Sequence, residues 1–515
     1  MREARVFVQA DSPRASADCD DMDGMIGVTD AAAVAIPFET SSSTSSNLRA
    51  RATPASPVVA AEPVVAKPAK EEPKNEAGLS GALGALFTML SSHFLVFYFY
   101  ACLTHNNGAL LLPSSVDVDA VVNWASQLTG IIVKHASPTW FTTLTFLTFQ
   151  LVQVVFALVL PGVEIYGLPI PSEGNRRLLY RCNAVAAWFA SLLAMGVLHY
   201  TGVFKLETIF DEMGSFMTVS MIFADFVAVA IYVVSLMGGN ASADRSGNVI
   251  YDFFMGTWLN PRIGALDLKM WAEVRVSWIM LFFITFSAAA RQYATTGTLH
   301  PSMALITVAQ FLYTNAVMKG EECIVTTWDI FHEKWGWMLI FWNLCGVPFV
   351  YTAQSVYLAN QAADHVQYPT YVWVVLFVAL FVLYYIWDTA NSQKNRFRMK
   401  RNGSFVPRPW AQPQLPWGTL ENPRFLKTQS GTPLLIDGWY RFARKIHYTT
   451  DMGMALIWGL SCGTSNFLPF FYFCFFVTFL SHRCKRDEER CAIKYGEDWK
   501  EYEKIVPYRF IPYVF

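Results

Sequence analysis

Four clusters of polar and ionisable residues interrupt an otherwise apolar sequence, and their residue types suit the binding of a phosphorylated cofactor. The first cluster, residues 393–398, directly follows a long apolar run and contains Lys394 and Arg398. If a helix continues through this segment, the two side chains lie four residues apart on one face. A lysine point charge and an arginine fork suit the phosphates of a dinucleotide. On spacing alone, a basic flank that contacts lipid headgroups explains the pair at least as well.

The second cluster, residues 438–451, combines arginine, tyrosine, histidine and aspartate where the chain re-enters an apolar run. Ionisable groups at membrane depth are costly and usually face a polar cavity. His447 could hold a nicotinamide or ribose by hydrogen bonds, or it could simply cap the start of a helix. The residue pattern does not separate these two roles.

The third cluster, residues 482–502, is a charged run near the C-terminus. Helical spacing places four of its residues on one face, namely Asp487, Cys491, Lys494 and Tyr495. Gly496 then ends or bends the helix, and Tyr502 returns in the following turns. A solvated charged helix is the alternative interpretation of this pattern.

The fourth cluster, residues 247–262 with its continuation 267–275, reads as an amphipathic loop between two apolar runs. It either contributes to a site or fixes two helices. No GxGxxG follows a strand, and no P-loop, HExxH or GxSxG motif occurs. A dinucleotide would therefore be bound by helices. None of the nine cysteines forms a CxxC pair, so we predict no metal site and no disulfide framework.

The elements that must position these residues are membrane helices. Hydrophobic residues make up 53% of the chain and charged residues 15%, against about 25% charged in soluble domains. A span needs about 20 apolar residues, which predicts an all-α, polytopic membrane bundle of about ten transmembrane helices. The predicted spans are 79–103, 140–160, 183–203, 215–237, 271–290, 303–318, 337–358, 371–387, 452–461 with its flanks, and 467–480. The net charge of −1 gives no electrostatic case for nucleic acid.

Three divisions of the chain follow from composition. Residues 1–77 are rich in Ala, Ser, Pro and Val, and we expect a disordered cytosolic tail. Residues 78–390 form the predicted transmembrane bundle, and residues 391–515 form a cytosolic lid, the last two spans and a cofactor-binding C-terminal region. Basic clusters at 394–401, 441–445 and 483–486 should all face the cytosol. The tryptophans between 391 and 451 favour an ordered lid over a free linker.

The motifs as a whole resemble the sterol reductases, the family of 14-sterol reductase, 7-dehydrocholesterol reductase and the lamin B receptor. The matching segments are 160–169, 247–262, 267–275, 332–358 and 439–515. Segments 326–334 and 336–344 are most similar to the branch that reduces the 24(28) double bond of ergosterol-type sterols. Most of the family has Arg-His-Pro-Asn-Tyr before the penultimate span, whereas this chain has Arg444-Lys445-Ile446-His447-Tyr448.

The resemblance implies NADPH as cofactor, a sterol substrate and residence in the endoplasmic reticulum membrane, among its lipids. It also implies roles for individual residues. Lys394 and Arg398 would contact the phosphates, and Leu435 and Tyr440 would lie along the cofactor. The rest of the implied pocket is His447, Tyr448, Asp487, Cys491, Lys494, Tyr495 and Tyr502. The departure at 444–448 leaves open how His447 replaces the amide of the family motif.

An isolated carbon–carbon double bond accepts hydride only after protonation, so a sterol reductase needs a buried acid. For a 24(28) bond, the proton goes to the methylene carbon and the hydride to the tertiary carbon. We predict Tyr502, Asp487 and Tyr448, in that order, as catalytic candidates. The alternatives are reduction at the 14- or 7-position, a membrane methyltransferase of the isoprenylcysteine type, and a non-catalytic sterol-binding protein. The sequence does not indicate an oligomeric state.

Overall fold

Long helices form most of the chain. The computed structural model describes residues 78–238, 245–401, 403, 405 and 415–514, and it is 68% helix and 6% strand. The predicted tail 1–77 and part of the predicted lid lie outside the described residues. The principal helices are α1 (Leu79–His105), α2 (Val118–His135), α3 (Trp140–Val159), α4 (Ala184–Thr201), α5 (Met213–Met237), α6 (Leu268–Thr296), α7 (Pro301–Lys319), α8 (Trp337–Ala359), α9 (Thr370–Arg401), α10 (Ile446–Leu460), α11 (Phe471–Tyr495) and α12 (Glu497–Ile505).

In the described part of the chain, seven helices are long and apolar enough to cross a membrane: α1, α3, α4, α5, α6, α8 and α9. They coincide with seven of the ten predicted spans, and the all-α membrane fold is confirmed. The other three predicted spans lie in α7, α10 and α11. Helix α10 has only 15 residues, fewer than the roughly 20 that a perpendicular span needs. The apolar start of α11 continues without a break into a charged half.

Helices α6 and α8 form the centre of the bundle, since 94% of the apolar window of each is buried. The corresponding share is only 22–33% for α1, α3, α4, α5 and α9, which leaves apolar side chains to face lipid. Both central helices contain a π-helical segment, Trp271–Val276 in α6 and Trp342–Gly346 in α8. These two π-helical segments pack against each other. Such segments are frequent near functional sites.

Helix α2 and three β-hairpins were not predicted. Helix α2 is amphipathic and begins at Asp117, whose Oδ1 accepts a hydrogen bond from the Ala120 amide at 2.9 Å. An antiparallel hairpin follows α3 and consists of β1 (Val163–Ile170) and β2 (Arg176–Cys182), in register from Val163 opposite Cys182. Two further hairpins have strands of two residues each, Arg262–Ile263 with Leu266–Asp267 and Phe425–Leu426 with Leu434–Leu435.

The polar end of the bundle is built from the end of α9, the segment 415–445, the start of α10, the end of α11, and α12. The amides of Arg444 and Lys445 donate to the carbonyls of Tyr508 and Arg509 at 2.9 and 2.8 Å. The start of α10 is thereby fixed against the C-terminal residues. The three basic clusters, which the sequence predicts on one side of the membrane, lie at this same end.

Candidate functional site

Helix α9 carries the first basic cluster beyond the bundle. Its 32 residues run without interruption from Thr370 to Arg401, so the helical continuation that pairs Lys394 with Arg398 is confirmed. Helix formers such as Gln, Lys and Arg replace the apolar residues after Asp388, and neither Gly nor Pro occurs before Arg401. Both basic side chains are therefore presented from a rigid element.

The described part of the lid is ordered and docks on α9. The Gln393 amide nitrogen donates to the Trp417 carbonyl at 2.8 Å, and Gln393 Oε1 accepts from the Trp439 amide at 3.0 Å. Trp439 Nε1 donates to Thr389 Oγ1 at 2.8 Å. Gly438 has φ +60°, and a Cβ there would lie 2.2 Å from Gln393 Oε1, so this close approach requires glycine.

A pocket lies between α9, the docked lid, α11 and α12, with a cavity of about 50 Å³. Of the lining side chains that the structure describes, four are cationic and none is acidic. The lining comprises Lys394, Phe397, Arg398, Pro433, Leu434, Leu435, Tyr440, Arg444, Lys445, Cys491, Trp499 and Tyr502. Six residues that the sequence predicts to bind the cofactor, Lys394, Arg398, Leu435, Tyr440, Cys491 and Tyr502, thus surround a single pocket. A group with several negative charges suits this lining.

His447 and Tyr448 begin α10 behind the pocket, and both are fully buried. His447 Nδ1 lies 3.5 Å from the Tyr440 hydroxyl, and the rings of His447 and Tyr448 are 4.6 Å apart. The Lys394 ammonium lies 5.7 Å from the centre of the Tyr440 ring. Tyr440 therefore connects the basic end of α9 to the predicted histidine.

Asp487 lies on the face of α11 that meets the start of α10, and it forms a buried ion pair with Lys445. Cys491 Sγ lies 3.9 Å from Asp487 Oδ1. One turn later, Lys494 Nζ lies 3.4 Å from Thr432 Oγ1. The helical face predicted from Asp487 to Tyr495 is real, and it turns toward the bundle and the lid rather than toward solvent.

Tyr495, Trp499 and Tyr502 form an aromatic wall. The ring centroids of Tyr495 and Trp499 are 6.2 Å apart, and those of Trp499 and Tyr502 are 5.3 Å apart. Gly496, at φ +55°, ends α11, and α12 begins at Glu497. Burial raises the pKa of the Tyr502 phenol, while the nearby Lys445 and Arg444 act in the opposite direction. The phenol therefore keeps its proton at neutral pH and is a weak acid.

Some lining residues were not among the predicted site residues. Arg444 and Lys445 belong to the second polar cluster, but only the folded chain brings them beside Arg398. Arg444 donates to the carbonyls of Val506 and Pro507 at 2.8 and 3.1 Å and pairs with Glu488 at 3.0 Å. No sequence pattern distinguishes Trp499 from the other aromatic residues of the chain.

A second polar group lies deeper in the bundle, around Asp451 of α10. Asp451 belongs to the second polar cluster of the sequence, but no role was predicted for it there. Its side chain is 4% exposed and lies within electrostatic range of the buried phenols of Tyr313 in α7 and Tyr472 in α11. Tyr351 of α8 completes the group, with its ring 4.6 Å from that of Tyr472. Asp451 lies four residues after His447, about 6 Å further along the helix axis.

The fourth polar cluster anchors loops outside the pocket. Lys269 Nζ donates to the carbonyls of Asp329 and Glu333, both at 2.6 Å. Asn260 donates to the Tyr180 hydroxyl at 3.0 Å and to the Ile330 carbonyl at 2.9 Å. These contacts join β2, the loop before α6 and the loop before α8. The structure favours the interpretation that this cluster fixes helices.

Comparison with known proteins identifies the family. Residues 71–515 match the family described as "Ergosterol biosynthesis ERG4/ERG24 family". The chain is 41% identical to a delta(24(24(1)))-sterol reductase of Aspergillus fumigatus over 86% of the chain and 93% of that protein. It is 40% identical to a delta(24(24(1)))-sterol reductase of Gibberella zeae, over 86% of the chain and 74% of that protein. It is also 35% identical to a delta(14)-sterol reductase of Methylotuvimicrobium alcaliphilum, over 84% of the chain and 94% of that protein. The chain belongs to the ERG4/ERG24 family of sterol reductases, as its sequence motifs predicted.

Proposed function

We propose that this membrane protein reduces the 24(28) double bond of a sterol with NADPH, in the endoplasmic reticulum membrane. The observation that supports the proposal most directly is that α10 carries both polar groups, the one beside the cationic pocket and the one around Asp451. His447 adjoins the cationic pocket at the start of the helix, and Asp451 lies one turn deeper in the apolar bundle. A charged cofactor in the pocket and an apolar substrate in the bundle would therefore meet at the first two turns of α10.

The pocket residues fit a phosphorylated dinucleotide. Lys394 and Arg398 are suited to its phosphates, because they project together from a rigid helix end and no acidic side chain lines the pocket. Tyr440 offers a ring face, and His447 offers a ring nitrogen beside it. When bound, NADPH supplies a hydride to the tertiary carbon of the substrate. Leu435, Trp499 and Tyr502 line the cofactor pocket and exclude water from it.

Asp451 is the best placed of the candidate proton donors. Asp487 is ion-paired with Lys445, and such a pair favours the carboxylate over the acid. Tyr502 lies in the aromatic wall of α12, away from the apolar bundle, and burial makes it a weaker acid. Tyr448 is fully buried on α10 and remains a candidate. Asp451 is a carboxyl group buried inside the bundle, one turn from His447.

The position of the bond is proposed from the relatives. Two relatives at 40–41% identity are described as delta(24(24(1)))-sterol reductases, which names the same side-chain double bond under another numbering. A delta(14)-sterol reductase at 35% identity covers nearly as much of the chain. Reduction of the 14-position is therefore the second candidate function.

A complementation experiment separates these functions. The full chain is expressed in a yeast strain that lacks its own 24(28)-reductase, and the sterols are analysed by mass spectrometry. We expect the 24-methylene sterol to be replaced by its saturated product. In microsomes from the same cells, the conversion should require NADPH. Restored growth of a 14-reductase mutant, without any change at the 24(28) bond, would establish the second candidate instead.

A further inference from the structure

A second cavity lies on the other side of the bundle, between α3, α4, α5 and α6, and has a volume of about 400 Å³. This volume lies within the range of small-molecule sites, about 300–1,000 Å³. Its walls are mainly apolar and aromatic, with Phe149, Met195, Phe216 and Phe283 among them, and none of the described residues that line it is charged. Helices α3 and α4 are largely unburied, so the cavity adjoins the lipid-facing side of the bundle.

Helix α6 separates this cavity from the candidate reaction site. Met280, Phe283 and Ile284 line the cavity. Trp278 and Phe282 lie on the opposite face of the same helix. The Trp278 ring contacts that of Tyr313, at 5.2 Å, beside the Asp451 group. The cavity shares no lining residue with the cationic pocket.

One polar side chain in the cavity wall has an unfilled hydrogen-bonding position. Gln153 of α3 is 1% exposed, and its amide nitrogen donates to Ser191 Oγ of α4 at 2.9 Å. The Ser191 hydroxyl donates in turn to the Ala187 carbonyl at 2.7 Å. Its single proton is therefore not available to Gln153 Oε1. Within the described residues Gln153 Oε1 has no hydrogen-bond partner, which is costly in apolar surroundings.

We propose that this cavity binds a sterol at a site separate from the reaction site, with the sterol hydroxyl donating to Gln153 Oε1. A sterol supplies one neutral donor on a rigid apolar body, and this matches one unfilled acceptor in an apolar cavity. An acyl chain has no donor for Gln153. A charged headgroup would find no counter-ion in the cavity lining. Binding does not require turnover, so the inference does not depend on the proposed function.

The test uses the full chain in nanodiscs of phosphatidylcholine, with a photoreactive cholesterol analogue and its 3-methyl ether as probes. We expect saturable labelling of peptides from α3, α4 and α6 by the alcohol. The ether cannot donate a hydrogen bond, so its labelling of those peptides should be about tenfold weaker, the effect of losing one buried hydrogen bond. This comparison needs no variant and is independent of folding defects.

Two matched variants locate the acceptor. Gln153→Leu should lower labelling by the alcohol about tenfold and leave labelling by the ether unchanged. Gln150→Leu is the control, because Gln150 is also a buried glutamine of α3, one turn earlier, but lies outside the cavity lining. It should retain wild-type labelling. Ala194→Phe, which fills the cavity, should abolish labelling by both probes.

Several results would overturn the proposal: equal labelling by alcohol and ether, unchanged labelling of the Gln153 variant, or label confined to peptides outside the cavity. NADPH-dependent sterol reduction is measured on the same nanodiscs. Loss of reduction with cavity labelling retained would refute the proposed function alone. Reduction without any cavity labelling would refute the second sterol site alone.

Discussion

At the scale of single residues, the reaction depends on which group protonates the double bond. Asp451→Asn keeps the size and hydrogen-bonding capacity of the side chain but removes the acid. We expect kcat for sterol reduction to fall by about 10²–10⁴, the usual contribution of a general acid. Binding of NADPH, measured by fluorescence, should stay within about twofold of wild type, since Asp451 does not line the cofactor pocket.

Tyr448→Phe and Tyr502→Phe are the comparison variants for this prediction. Each removes one phenol and leaves the ring in place. If either lowers kcat as strongly as Asp451→Asn while cofactor binding is preserved, that tyrosine donates the proton, as the sequence analysis proposed. Unchanged kcat in Asp451→Asn would exclude the carboxyl group.

Lys394 and Arg398 support a second prediction at this scale. Lys394→Met with Arg398→Gln removes two cations from the pocket while retaining most of the side-chain volume. We expect the KM for NADPH to rise by at least tenfold and kcat to change little. The reason is that contacts to the phosphates stabilise the ground state and the transition state equally. Lys400→Met, on the same helix but outside the pocket lining, should keep the wild-type KM. An unchanged KM in the double variant would remove these residues from the cofactor site.

The limits of sequence reasoning are clear at these positions. Lys394 and Arg398 stood out because an apolar span ended immediately before them. Asp451 belonged to the second polar cluster, but it lies at the boundary of a short apolar run and the sequence assigned it no role. Its significance comes from Tyr313, Tyr351 and Tyr472, which lie on three other helices. Contacts at such sequence separations leave no local pattern.

At the scale of elements, the start of α10 is held to α11 by the Lys445–Asp487 ion pair, whose side chains are only 5% and 7% exposed. Asp487→Ala removes the carboxylate that pairs with the buried Lys445 ammonium group. We expect it to cost about 3–5 kcal/mol of stability, seen as a lower Tm in detergent. Lys445→Met combined with Asp487→Leu removes both charges and should recover most of that loss.

The double variant also separates stability from function. Lys445 lines the pocket, so the variant with restored Tm should still bind NADPH poorly. If Asp487→Ala has the wild-type Tm, the ion pair does not stabilise this junction. A Tm that stays low in the double variant would show that packing, and not charge, was lost.

Periodicity and hydropathy predicted elements unevenly, for physical reasons. Spans such as α5 and α9 were predicted correctly because a run of about twenty apolar residues is typical of a membrane-spanning helix and of few other structures. The hairpin β1–β2 was missed because its polar, basic strand β2 is stabilised by cross-strand pairing that a single segment does not reveal. Helix α2 was missed because its apolar residues are too few for a span and its polar face resembles a loop.

At the scale of the whole molecule, the two ends of the bundle differ in chemistry. The cofactor pocket and the basic clusters lie at one end. The turn between α10 and α11 lies at the other end, where Asn466 donates to the Asn107 carbonyl at 3.3 Å. The loop before α2 is therefore on the face opposite the pocket. Basic residues flanking spans favour the cytosolic side, so the loop before α2 should be lumenal.

Glycosylation tests this orientation directly. A flexible acceptor segment with one Asn-x-Thr motif is inserted at Val116, which is 99% exposed, or after Gly431, in the turn of the lid hairpin. Insertions at exposed turns are generally tolerated. Only the Val116 insertion should gain a glycan that endoglycosidase removes, because only lumenal asparagines are modified.

The natural sequence contains its own internal controls. Asn240-Ala241-Ser242 and Asn402-Gly403-Ser404 are acceptor motifs. Asn240 lies three residues beyond the end of α5, and Asn402 directly follows α9. Both motifs lie where the proposed topology places the cytosol, so the unmodified protein should show no endoglycosidase-sensitive shift. A glycan on Asn402, or on the Gly431 insertion, would put the cofactor pocket in the lumen, away from cytosolic NADPH. That result would contradict the proposed topology and, with it, the assignment of this pocket to the cofactor.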